Sequence, residues 1–91
     1  MNDSEETFTV VNALGLHARA AMKVVQLAGR FESEVELERE GQRANGKSVM
    51  GLLLLCCALG ARVTVRAKGA DAAAAVAAIG ALFAARFGED R

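Results

Sequence analysis

The 91-residue chain has no proline, tryptophan or tyrosine, and only one histidine. Without proline it carries no composition-marked linker, so its elements read as one unbroken succession and a single domain over residues 1–91. Four phenylalanines make up the whole aromatic inventory, too few for the stacking platforms of single-strand nucleic-acid binders. Eleven Lys and Arg balance eleven Asp and Glu, which leaves no basic field to gather nucleic acid. The apolar runs Val49–Leu59 and Ala72–Ala85 fall short of the roughly 20 residues that span a bilayer. The acidic start MNDSEETF is the opposite of a secretory signal. Direct membrane insertion is therefore not expected, and a cytoplasmic location is. Cys56 and Cys57 are adjacent. Neighbours rarely reach disulfide geometry, and the apolar run around them predicts buried free thiols in a reducing compartment. One histidine and two neighbouring cysteines supply no tetrahedral set for zinc, so no metal is expected.

Hydrophobic periodicity, by contrast, is strong. Thr7–Val11 (TFTVV) is rich in β-branched residues and predicts a first strand. Asn12 to Leu16 reads as a loop that Gly15 lets bend sharply. From Ala18 to about Ala28 the spacing turns helical, with Ala21, Val25 and Ala28 on one face and Gly29 as the stop. Glu34–Arg39 (EVELER) alternates strictly, placing Val35 and Leu37 inward on a half-exposed antiparallel strand. Glu40–Gly41 turns the chain into a partner strand near Gln42–Asn45. Ser48 is the expected N-cap of a second helix through VMGLLLLCCAL, ended by Gly60. Arg62–Lys68 (RVTVRAK) predicts a fourth strand with Val63, Val65 and Ala67 inward. Gly69 and Asp71 open a last helix whose stripe is Ala72, Val76, Ile79, Phe83 and Phe87, ended by Gly88. Gly80 inside that helix costs about 1 kcal/mol against alanine, which a close approach to the sheet would justify.

The expected order is β-α-β-β-α-β-α. It is an α+β fold, an open-faced β-sandwich in which a four-stranded antiparallel sheet is covered on one face by three helices. The other face, carrying Glu34, Glu36, Glu38, Arg62 and Arg66, would meet water.

The histidine stands where the first helix begins. A helix start offers backbone N–H groups without intrahelical partners and the positive end of the macrodipole, a ready-made site for phosphate. An imidazole at its edge can act as a nucleophile toward a phosphoryl donor. The group it acquires would lie over the N–H groups of Ala18 and Arg19, within reach of the permanently charged Arg19 guanidinium. Histidine's ordinary pKa of about 6.5 keeps a neutral, nucleophilic fraction near neutrality. These residues describe a phosphoryl relay point, although a lone histidine at a helix start is more often a cap or a surface residue.

GLHARAA (Gly15–Ala21), followed by ANGKSVMGLL (Ala44–Leu53), resembles the two signature segments of the HPr family, the histidine-containing phosphocarriers of the bacterial phosphoenolpyruvate-dependent phosphotransferase system. The resemblance covers essentially the whole chain, and the tail ALFAARFGED (Ala81–Asp90) is similar to the nitrogen-branch relatives called NPr. The resemblance implies that His17 is phosphorylated through Nδ1, with Arg19 as the active-site arginine. Enzyme I, charged by phosphoenolpyruvate, would be the donor and an Enzyme IIA-type protein the acceptor, in sugar uptake or regulation. No cofactor is implied beyond the phosphoryl group itself. Ser48 matches the serine that an ATP-dependent HPr kinase/phosphorylase modifies in many members. A serine at an N-cap needs no such role, and both readings stand.

Two positions depart from the family. Ala20 stands where proline is usual, which restores a backbone donor but loses rigidity. Asn12 lies five residues before His17, whereas relatives that set an asparagine against the histidine carry it closer, and position 14 is leucine. Asn12 is not counted among the site residues. Leu16, Met22, Val49, Met50 and Leu53 are expected to form an apolar docking patch around His17, with Lys23 and Lys47 at its rim. For Leu53, ordinary core packing is an equal reading. A surface that docks two partners in turn predicts a monomer. The rival function is a non-catalytic regulator of the same fold that acts by contact alone. A pure binder would need neither His17 nor Arg19.

Overall fold

The alternating segments pair into one antiparallel sheet in a computed structural model that describes residues 2–91. The elements in chain order are β1 (Asp3–Thr9), α1 (Ala18–Ala28), β2 (Glu34–Arg39), β3 (Gln42–Asn45), α2 (Val49–Leu54), β4 (Arg62–Lys68) and α3 (Ala72–Ala84). A short 3-10 turn, Arg86–Gly88, follows the last helix. The sheet runs β1-β4-β2-β3, so β4 lies between the first two strands and the helices cover one face. Among the described residues, no helix is long and apolar enough to cross a membrane.

Alternation decides which side chains enter the core. Val35 and Leu37 of β2 and Val63, Val65 and Ala67 of β4 are buried against Ala72, Val76, Ile79 and Phe83 of α3 and Ala21, Val24 and Ala28 of α1. Gly80 permits the closest contact of helix with sheet. A Cβ at that position would lie 2.4 Å from the Phe8 ring, so the absent side chain offsets the helix-propensity penalty. On the water-facing side, Arg66 bonds Glu38 and, at 2.7 Å, Glu5. These two carboxylates, Glu38 foremost, push the guanidinium above the usual arginine range.

Several boundaries differ from those expected. The first strand starts at Asp3 rather than Thr7 and ends before Val10. Its acidic residues face cations across the ladder, Asp3 opposite Lys68 and Glu5 opposite Arg66, and such cross-strand pairs make a polar segment a good edge strand. In α1, Val24 is fully buried and Val25 only partly. Gly29 does cap α1 but keeps a right-handed conformation, φ −64°. The second helix ends at Leu54, well before Gly60, because Cys56 takes a left-handed conformation, φ 54°. That break exposes Cys56, contrary to the expectation of two buried thiols, while Cys57 stays inside and burial raises its thiol pKa. The third helix ends at Ala84, so Phe87 reaches the core from the 3-10 turn rather than from the helical stripe.

Candidate functional site

The loop before α1 is built to deliver His17 to the surface. Gly15 has φ 67°, and a Cβ there would lie 2.4 Å from the Cys57 carbonyl oxygen. Only glycine meets both demands. The Leu16 N–H donates to that same carbonyl at 2.8 Å, and the Leu16 side chain sinks into the core. Leu16 therefore anchors the loop from within and is not part of a docking patch. His17 follows in extended conformation as the N-cap of α1, without a side-chain capping bond.

The first amide of α1 to find a carbonyl is that of Ala21, which donates to His17 O at 2.8 Å. Among the described residues, the N–H groups of Ala18, Arg19 and Ala20 make no hydrogen bond. Unpartnered donors and the dipole's positive end coincide there, as an oxyanion requires. Arg19 is exposed and makes no ion pair or hydrogen bond among the described residues, so its guanidinium is available to an anion at the same helix end.

The imidazole of His17 is 28% exposed and engages the Glu89 carboxylate through Nε2. Asn12 joins them. It is fully buried, and its Nδ2 donates to Gly15 O and to Glu89 Oε1, each at 2.9 Å. The His17 contact first, and the Asn12 contact second, hold the Glu89 carboxyl below the usual carboxylate range. The structure thus brings to His17 both Asn12, which its spacing in the sequence excludes, and Glu89, which no motif marks. The separation from His17 to Glu89 is 72 residues, and no local pattern reports a contact that long. Asn12 did carry a signal, since an asparagine three residues before a turning glycine is a residue whose amide ties down its own loop.

Glu89 is held in place by its surroundings. Arg86 and Phe87 both have positive φ, 57° and 53°, two left-handed non-glycine residues in succession. Phe87 is fully buried and packs edge-on against Phe83. The Lys23 ammonium donates to the Phe87 carbonyl at 2.5 Å, and the Ala13 N–H donates to Arg91 O at 3.0 Å. Lys23 was expected at a docking rim, and the structure uses it to fasten this segment. Lys47 similarly donates to Phe31 O at 2.9 Å.

At the second helix Ser48 behaves as a true N-cap, its hydroxyl accepting from Gly51 N–H at 3.0 Å. Among the expected patch residues Met22 and Met50 are exposed, 50% and 67%. Val49 and Leu53 are half-buried against the core. α1 and α2 pack side by side, so the two methionines belong to adjoining helices. A groove of about 510 Å³ lies instead on the uncovered sheet side between Glu36, Arg43, Lys47 and Arg66. Its lining includes neither His17 nor Arg19.

The family model of the PTS HPr component phosphorylation site matches residues 4–85. The phosphocarrier protein HPr of Cupriavidus necator is 47% identical over 81 residues, 89% of this chain and 91% of that protein. The phosphocarrier protein NPr of Shewanella violacea is 44% identical over 89 residues, 98% of each chain. Among solved structures, HPr-C-His from Thermoanaerobacter tengcongensis superposes with a TM-score of 0.93 at 36% identity, covering 97% of this chain and 99% of that one. The fold, the helix start bearing His17 and these matches agree, and the chain belongs to the HPr family of phosphocarrier proteins of the phosphotransferase system.

Proposed function

We propose that this carrier accepts a phosphoryl group from phospho-Enzyme I on His17 and passes it to an Enzyme IIA-type protein, acting stoichiometrically and not as an enzyme. The observation that carries the reading is the bare start of α1, where a part-exposed imidazole stands beside unpartnered amides and the free Arg19 guanidinium. In the transfer, the His17 lone pair attacks phosphorus as the donor's bond to it breaks. The departing donor keeps that electron pair. The Ala18 and Arg19 amides and the Arg19 side chain then meet the phosphoryl oxygens, and their fixed orientation requires little reorganisation. The P–N bond stays labile enough to be handed on. Met22 and Met50, adaptable apolar side chains, would form the centre of the docking surface, flanked by Val49 and Leu53. A surface shared by successive partners suits a monomer working in the cytoplasm.

The test is incubation with Enzyme I and labelled phosphoenolpyruvate. Acid-labile, alkali-stable label that disappears in His17→Ala is the expected result. An intact protein that takes no label from its cognate Enzyme I would remove the carrier reading and leave a regulator acting by contact.

Ser48 is the proposed regulatory site. Phosphate added there would sit at a helix N-terminus while placing about two negative charges beside Val49 and Met50, against a partner acidic at that point. ATP with a cell extract should give acid-stable label on the wild type and none on Ser48→Ala; equal labelling of both would clear Ser48 of the role.

A further inference from the structure

A neutral imidazole carries one N–H and one lone pair, and what faces one ring nitrogen decides the chemistry of the other. An ionised carboxylate only accepts hydrogen bonds. With Glu89 on Nε2, the proton belongs on Nε2 and the lone pair on Nδ1, which makes no hydrogen bond among the described residues. The carboxylate is itself constrained. Its second oxygen accepts from Asn12 Nδ2 at 2.9 Å, and the same amide group donates to Gly15 O. Both partners are acceptors, so the amide has one admissible orientation. The chain is fastened on either side of Glu89, by Lys23 on the Phe87 carbonyl and by Ala13 on the Arg91 carbonyl. Glu89 also lies beyond the stretch 4–85 matched by the family model, so this constraint is not part of the matched signature.

We propose that Glu89, aimed by Asn12, is a positioning residue that keeps His17 in its Nε2–H form and thereby makes Nδ1 the atom that takes the phosphoryl group. The inference deepens the carrier reading and rests on it for its biological meaning. In chemical terms, Nδ1 forms the P–N bond as the donor's bond to phosphorus breaks and its electron pair leaves with the donor. The Nε2 proton stays where it is. The positive charge that the new bond places on the ring is met by the Glu89 carboxylate. When the group moves on, the ring returns to the neutral Nε2–H form, ready for another cycle with no proton exchanged. Without the carboxylate, the two neutral tautomers would compete and Nε2 would be open to attack.

The experiment uses the full chain with 15N-labelled histidine, and potassium phosphoramidate as a phosphoryl donor that requires no partner protein. Wild type should show the Nε2–H tautomer and a single product phosphorylated on Nδ1. In Glu89→Gln the new amide has one acceptor oxygen and cannot serve both His17 and Asn12. The Nε2–H population should fall, part of the phosphate should appear on Nε2, and Nδ1 phosphorylation should slow by about tenfold, the lower end of what losing a histidine-orienting carboxylate costs at metal sites. Glu89→Ala should show the same direction, and amide spectra away from the site check that both variants fold. Unchanged tautomer and unchanged product in a folded Glu89→Gln protein would overturn the inference, as would a changed tautomer with unaltered site and rate of phosphorylation. If Enzyme I fails to label the wild type while phosphoramidate still gives a Glu89-dependent Nδ1 product, the carrier reading falls and the positioning role stands.

Discussion

Two helices in this protein are opened by a histidine and by a serine, and they begin in opposite ways. At α2, the Ser48 hydroxyl turns into the helix and accepts from Gly51 N–H, satisfying one of the donors that a helix start leaves over. At α1, the His17 ring turns away from the helix to Glu89, and the amides of Ala18, Arg19 and Ala20 are left without partners. A capped start contributes to stability. A bare one gives up that contribution and leaves amide donors open to an anion.

Substitution at the two caps should separate these roles most sharply. His17→Ala is expected to abolish labelling from phosphoenolpyruvate and Enzyme I while lowering stability in urea only by what the Glu89 contact contributes, since no capping bond is lost. Full labelling of that variant would erase the contrast. Gly15→Ala comes next, because it must place a Cβ against Cys57 O at a positive φ. It should destabilise the protein by about 1–3 kcal/mol and slow labelling by displacing His17, measured by denaturant unfolding beside the uptake assay. Ser48→Ala should lose about 1 kcal/mol of stability and leave the rate of labelling at His17 close to wild type; a large fall in that rate would mean the two helix ends are coupled.

Smaller effects sharpen the comparison further. The folded Glu89 carboxyl binds its proton less readily than an ordinary glutamate. The stability this lends is therefore complete above the usual carboxylate value of about 4.3 and is lost as pH falls through the lower folded value. Acid titration of stability should show wild type and Glu89→Gln converging at the low end of that window. The lowered Asp71 carboxyl, held first by Ser33 and then by the Glu32 amide, works in the same direction in both proteins and cancels. Finally, titration with inorganic phosphate should shift the amide resonances of Ala18 and Arg19 more than those of Val49 to Gly51. Equal shifts would mean that the bare start has no special affinity.

Much of this was legible in the chain itself. The strict alternation of EVELER and RVTVRAK placed β2 and β4 to the residue, and the Ser48 cap could be read from a hydroxyl before an apolar run. The start of β1 was not legible, because what favours an acidic segment as a strand here is the pair of cations across from it, Lys68 and Arg66. The early end of α2 was hidden for a related reason. Nothing in LLLLCCAL announces the left-handed turn at Cys56, beyond which Cys57 O accepts from the distant Leu16 N–H.

Local periodicity, turn chemistry and the GLHARAA segment determined the element order, the helix that His17 opens and the exposure of that helix start, all of which involve residues close together along the chain. Which nitrogen of the imidazole is engaged, the recruitment of Asn12 and the tie of Lys23 to the Phe87 carbonyl were decided only when Glu89 and the turn at Phe87 came back across the first loop, and the anchoring of Leu16 only when Cys57 met it. Side-chain hydrogen bonding is short-ranged and directional, so a contact between residues 72 positions apart exists only once packing has set both ends.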